Sequence, residues 1–256
     1  MLDSLTALLT QHDCLYGLVC RDPTATDIEL CAELGYHFVW LDLEHSPLPL
    51  ADTVRLGRSA AHLGMVPLVR IRELERATIQ VLLDGGIEVL ILPDVRSATE
   101  VARFVELAKY PPLGRRGVSS TPVRSGYALG NDTREALEQA NAATHLMALI
   151  ESDEGYAALD DILAIDGLDL VGVGLQDWGA SLGIYGERVA VGLQPKADRV
   201  LEAAGAAGKI GVATVATAAD AQRCRELGAR VLVVGVDVGI KRAALAARIT
   251  EIREGR

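Results

Sequence analysis

The chain has 256 residues, half of them hydrophobic, and carries 25 Lys and Arg against 35 Asp and Glu, for a net charge of -10. That length and apolar content suit a barrel of alternating strands and helices, and the acidic balance argues against a nucleic-acid surface. Aromatic residues make up only 4%, too few for base-stacking or carbohydrate platforms.

The first thirteen residues hold an acid at position 3, no basic segment and only a short apolar run, unlike a signal peptide. No apolar run reaches the roughly 18 residues of a membrane span. Cys14, Cys20, Cys31 and Cys224 form no CxxC pair. They read as buried small hydrophobes in a reducing compartment, not as a disulfide framework or a thiolate zinc site. The expectation is a cytoplasmic protein with neither membrane nor nucleic acid as partner.

In chain order, eight short apolar runs are predicted as strands, at 16–20, 37–43, 66–71, 89–92, 145–150, 170–174, 210–215 and 231–236. Amphipathic stretches at 48–63, 73–84, 97–109, 155–165, 194–207 and 217–227 lie between them. Gly35, Gly64, Gly85, Gly167, Gly208 and Gly228 stand where helix C-caps belong. Eight such units predict a (β/α)8 TIM barrel forming a single domain over 1–256. One region breaks the rhythm: 110–143 is predicted as a long loop with a helix at 133–142, an insert between strands 4 and 5. The last stretch, 239–254, is helical, and would close the barrel or dock onto a partner subunit.

Active sites of such barrels lie at the C-terminal ends of the strands. Strand 2 is almost wholly apolar and runs into Asp42, Glu44 and His45 before Pro47 stops it. Carboxylates and an imidazole there are costly without a partner or ligand. Strand 3 ends in Arg70 and Arg72, strand 4 in Pro93-Asp94, strand 5 in Glu151 and Asp153, and strand 8 in Asp237. Strand 6 leads into Gly174-Leu-Gln-Asp177.

Glu151 and Asp177, hard oxygen donors with no Cys or His beside them, suit a divalent cation such as Mg²⁺ or Mn²⁺; two solvated loop acids are the alternative. Arg70 could donate to a carboxylate or a developing enolate, or form a salt bridge with Glu44 or Glu73. His45 lies three residues after Asp42, a spacing that allows a hydrogen-bonded acid/base pair. Arg115, Arg116 and Arg124 lie in an acid-free loop with Gly114 and Gly117, either an anion cradle or a solvated or subunit-facing loop. Gly172-Val-Gly174 lacks the third glycine and the helix of a dinucleotide fingerprint. No P-loop, GxSxG elbow or HExxH is present.

Six segments carry a resemblance: Leu41-Asp-Leu-Glu-His45, Pro67-Leu-Val-Arg70, Leu83-Asp84-Gly85-Gly86, Tyr110-Pro-Pro-Leu-Gly-Arg-Arg-Gly117, Ile150-Glu151-Ser152, and Gly174-Leu-Gln-Asp177 with Ser181-Leu-Gly183. Together they resemble the HpcH/HpaI aldolase family, metal-dependent class II pyruvate aldolases that include 4-hydroxy-2-oxoheptanedioate aldolase. The resemblance implies a homo-oligomeric barrel, a hexamer or trimer of dimers, using Mg²⁺, Mn²⁺ or Co²⁺. It implies cleavage or formation of 4-hydroxy-2-oxo acids through a pyruvate enolate, with an aldehyde as the second product. Glu151 and Asp177 would hold the metal, and Arg70 the pyruvate oxygens. His45 with Asp42 would move protons, and Asp84 would serve a neighbouring subunit. Arg116, Gly117, Gly174 and Leu175 would lie near substrate.

Leu149, Leu175, Trp178 and Asp94 depart from the family's usual residues, and Trp178 and Asp94 are expected to alter the pocket's size and charge. The rival readings are related enolate chemistry, a citrate-forming condensation or a CoA-thioester lyase step, and a non-catalytic barrel that binds an oxo acid.

Overall fold

Alternation along the strands builds the molecule in two shells. A computed structural model describes residues 4–128, 130 and 132–255. The strands are β1 (Leu15–Cys20), β2 (Phe38–Asp42), β3 (Val66–Arg70), β4 (Val89–Leu92), β5 (His145–Ile150), β6 (Leu170–Val173), β7 (Ile210–Thr214) and β8 (Ala229–Val236). They pair in parallel, in sequence order, into a closed barrel, as the eight apolar runs predict. Leu15, Phe38, Trp40, Leu68, Val89, Ile91, Met147, Leu149 and Leu170 pack together inside it. The intervening Val39, Leu41, Val69, Leu90, Ala148 and Val171 join the shell beneath the helices. A parallel barrel buried on both faces needs this continuous apolar run.

The helices are α1 (Ser4–Gln11), α2 (Ala25–Glu33), α3 (Leu50–His62), α4 (Arg76–Asp84), α5 (Ala98–Ala108), α6 (Thr133–Ala142), α7 (Asp153–Ala157), α8 (Leu159–Leu163), α9 (Leu175–Ser181), α10 (Glu187–Ala206), α11 (Ala218–Glu226) and α12 (Asp237–Glu254). The expected helix over 155–165 is two short pieces meeting at Ala158. The one expected over 194–207 begins earlier, at Glu187, and carries Pro195 inside it. Proline favours a first turn, yet here two turns of helix precede it. Gly85 ends α4 in a right-handed conformation, and the left-handed φ of +103° falls on Gly86 instead.

At the base of the barrel, Leu5 of α1 packs into the interior cluster, and its N–H donates to Glu88 Oε1 at 2.6 Å. Asp169 accepts the Leu146 N–H at 2.9 Å and faces Lys109 and His145 at 3.7 and 3.8 Å. All four cysteines are free and buried. Among the described residues no helix is long and apolar enough to cross a membrane. The insert between β4 and β5 forms as expected, with a short 3-10 turn at Val123–Ser125 and then α6. It is anchored by reciprocal bonds between Tyr110 and Asn141, at 2.7 and 3.0 Å.

Candidate active site

Extending the inward phase of the strands by one step defines the mouth of the barrel. Leu15, Gly17 and Val19 point inward on β1, and the next inward position is Arg21. Phe38 and Trp40 lead to Asp42, Leu68 leads to Arg70, and Met147 and Leu149 lead to Glu151. Asp42 and Arg70 are direct partners in the β2–β3 register.

Asp42 is fully buried. Arg70 donates to it through both edges of its fork, Nε to Oδ1 at 2.9 Å and Nη2 to Oδ2 at 2.7 Å. The backbone N–H groups of Glu44 and His45 donate to Oδ1 at 3.0 and 3.4 Å, so the turn after β2 is folded around this carboxylate. Burial by itself would raise the Asp42 pKa. The Arg70 bonds and charge, with the two backbone donors, outweigh it and hold the group below the usual carboxylate range. Arg70 Nη1 also forms an ion pair with Glu44 Oε2 at 2.9 Å, the salt bridge that was the alternative for this arginine. Burial nevertheless pushes the Glu44 pKa up.

The hydrogen-bonded Asp42–His45 pair expected from their spacing does not form. The imidazole Nε2 lies instead 3.6 Å from Glu44 Oε2. Cross-strand register gave Asp42 to Arg70, and the short turn can offer it only the backbone of His45.

Glu151 enters from the opposite side of the mouth and is 4% exposed. Its Oε1 accepts the Asp94 N–H at 2.7 Å. Desolvation pushes its pKa up to about 7; the Asp94 bond and Arg70 oppose this, and the neighbouring charge of Asp177 adds to it. A Cβ at Gly174 would overlap Glu151 Oε2, so only glycine leaves this carboxylate its place. Asp177 lies in the first turn of α9. Beneath these groups Leu149 and Trp40 form an apolar floor.

Among the described residues, the buried side-chain N and O atoms without a hydrogen-bond partner are Arg21 Nε, Trp40 Nε1, Glu44 Oε2, Glu151 Oε2 and Arg116 Nε. Glu44 Oε2 is held by its ion pair with Arg70, and Arg21 Nε, Trp40 Nε1 and Glu151 Oε2 surround the mouth. Buried polar groups are rarely left unpaired, so their concentration here marks a place built to receive a polar ligand. No group of three or more His, Cys, Asp or Glu among the described residues is arranged to hold a metal ion by itself. A cation held by Glu151 and Asp177 would therefore complete its shell with water and substrate oxygens, as Mg²⁺-like ions do. The partnerless Glu151 Oε2 fits such an ion.

Several expected site residues lie elsewhere. Asp84, at the C-terminal end of α4, accepts from Arg116 Nη2 at 2.6 Å, and Arg116 stacks on Tyr110 at 4.7 Å. Gly117 rests against Arg76 and Gln80 of α4. None of these three reaches the mouth of its own barrel. Arg115 is in contact with Glu106, and the Arg124 side chain lies outside the described residues. Leu175 packs into the helix-side core.

The expected effects of Trp178 and Asp94 on the pocket are not seen. Trp178 is wholly buried in the helix-side core, and its indole N–H donates to Asp153 at 2.9 Å. Asp94 turns its carboxylate to the exposed Arg96, at 2.9 Å. Its φ of +45° aims its N–H at Glu151, so its backbone is the part that serves the site. Arg21 was missed by the sequence reading, although the alternation Leu15, Gly17, Val19 along strand 1 would have placed it inward.

The family model described as HpcH/HpaI aldolase/citrate lyase matches residues 18–244. A hydroxypyruvate/pyruvate aldolase from Paraburkholderia phytofirmans is 32% identical, over 97% of this chain and 97% of its own. A crystal structure of an HpcH/HpaI aldolase from Desulfitobacterium hafniense superposes with a TM-score of 0.90 at 30% identity, covering 98% of this chain and 96% of that one. The citrate synthase SbnG superposes with a TM-score of 0.88 at 29% identity, covering 99% of both chains.

Proposed function

This chain belongs to the HpcH/HpaI aldolase/citrate lyase family, and on that premise we propose that it is a metal-dependent lyase that cleaves or forms 4-hydroxy-2-oxo acids through a pyruvate enolate, releasing or consuming an aldehyde. The observation that carries this reading is the buried, partnerless Glu151 Oε2 sharing a barrel mouth with Arg70. Glu151 and Asp177 would hold Mg²⁺, Mn²⁺ or Co²⁺, which supplies Lewis-acid polarisation of the 2-oxo acid when bound.

The protein's own groups do the rest. Arg70 is fixed by Asp42 and presents its charge to the developing enolate. His45 takes the proton of the C4 hydroxyl, with Glu44 beside its Nε2 to stabilise the imidazolium. The C3–C4 bond breaks, its electron pair remains with the enolate, and the aldehyde leaves. A proton delivered to C3 then yields pyruvate.

The test is exchange of the pyruvate C3 protons in D₂O, with Mg²⁺, Mn²⁺ or Co²⁺ present and then with chelator added. Exchange that chelator abolishes and that Glu151→Ala lacks is the expected result. No exchange with any of the three metals overturns the reading, and full exchange in Glu151→Ala removes the metal assignment. The likeness to a citrate synthase favours a second reading, a citrate-forming condensation at the same mouth, which oxaloacetate as acceptor would reveal.

The protein also acts as a homo-oligomer on this reading, a hexamer or trimer of dimers. Leu245, Ile249 and Ile252 are exposed at i, i+4 and i+7 along α12, one apolar stripe without a partner in a single chain. Asp84 and Arg116 would then serve a neighbouring mouth. Light scattering giving the mass of one 27.2 kDa chain would reject this.

A further inference from the structure

Arg21 is the inward residue that follows β1, in line with Gly17 and Val19, and the β1–β2 register sets it beside Asp42 on the rim of the mouth. Its Nε is 3.5 Å from Asp42 Oδ2 and is buried without a hydrogen-bond partner. The rest of the side chain is not enclosed: 41% of it is exposed.

Asp42 has no need of this second guanidinium. Arg70 already binds both of its oxygens, and two backbone N–H groups fill Oδ1. The backbone at Arg21 is held in place independently. Arg21 N–H and Asp22 N–H donate at 3.0 and 3.2 Å to Asp237, a buried carboxylate at the start of α12. The protein thus anchors a long cationic side chain at the rim of the site and leaves its fork unspent. A guanidinium recognises a carboxylate through two parallel N–H donors.

We propose that Arg21 is a specificity-determining residue that binds a carboxylate on the electrophile, so that the second substrate is an aldehyde or oxo compound carrying a negative charge. Arg70 and the metal ligands serve the pyruvate half, and Arg21 lies across Asp42 from them, where the other half of a C–C bond would be. The exposed part of the Arg21 side chain offers donors to an anion. This inference rests on the enolate reading above.

The experiment compares glyoxylate with glycolaldehyde, acceptors that differ in a carboxylate against a hydroxymethyl group, in condensation with pyruvate by the Mn²⁺-loaded full-length protein. The readout is the ratio of kcat/KM for glyoxylate to that for glycolaldehyde. Losing a charge-assisted pair lowers this ratio roughly 10- to 100-fold in Arg21→Ala, and Arg21→Lys recovers part of it. An unchanged ratio in Arg21→Ala, with wild-type pyruvate exchange intact, overturns this inference alone. Absence of wild-type exchange overturns the enolate reading and this inference with it.

Discussion

Replacing Asp42 with alanine isolates the interaction on which the mouth is built. Asp42 is wholly buried and receives two hydrogen bonds from Arg70 and two from the backbone. Asp42→Ala leaves an arginine that is only 6% exposed with Glu44 as its remaining counter-ion. Removing one member of a buried pair costs about 3–5 kcal/mol. In a chain of this size each kcal/mol lowers the melting temperature by roughly 2–4 °C, so the expected drop is about 6–20 °C. Thermal unfolding followed by circular dichroism reads it. The double variant Asp42→Ala/Arg70→Ala removes both charges together, and its loss should fall short of the sum of the single losses by roughly 0.5–3 kcal/mol. Strictly additive losses, or a drop below about 2 °C in Asp42→Ala, would show that Asp42 and Arg70 are not the coupled pair described here.

Gly174→Ala places a methyl group where Glu151 Oε2 lies, so Mn²⁺ affinity measured by calorimetry should fall about 10-fold or more while the far-ultraviolet spectrum is retained. At the barrel base burial would raise the Asp169 pKa, yet the bond from His145, the Lys109 charge and the Leu146 N–H together hold it below its ordinary 3.8. A carboxylate lowered in the folded state binds fewer protons there than in the unfolded chain. Its stabilisation is therefore complete above the ordinary value and is lost as pH falls through the folded-state value. Urea midpoints measured from pH 6 down to pH 3 should decline less steeply in Asp169→Asn than in the wild type; an equal decline would refute the assignment.

Much of the fold can be read from residue order because its cause is local and repetitive. Near-continuous apolar strands, amphipathic helices between them and a glycine after most helices leave few arrangements other than a closed parallel barrel. The strand-end rule also singled out Asp42, Arg70 and Glu151, since a charge that follows a buried strand has nowhere to go but the mouth. Pairing across the mouth could not be read in this way. Asp42 and His45 are neighbours in sequence, but the β2–β3 register sets Asp42 opposite Arg70, and a bidentate guanidinium displaces an imidazole as its partner. Trp178 and Asp94 were expected to change the pocket as departures from the family's usual residues, yet α9 turns one into the helix-side core and a left-handed backbone turns the other to Arg96. Arg21 carried no motif at all. Its inward phase follows from the alternation along β1, but its closeness to Asp42, a residue 21 positions away, comes from the β1–β2 register. Residue order by itself determined the strands, their sequence and the list of charged strand ends. The tertiary structure decided which of those charges meet, because that depends on register and on the face each backbone position presents.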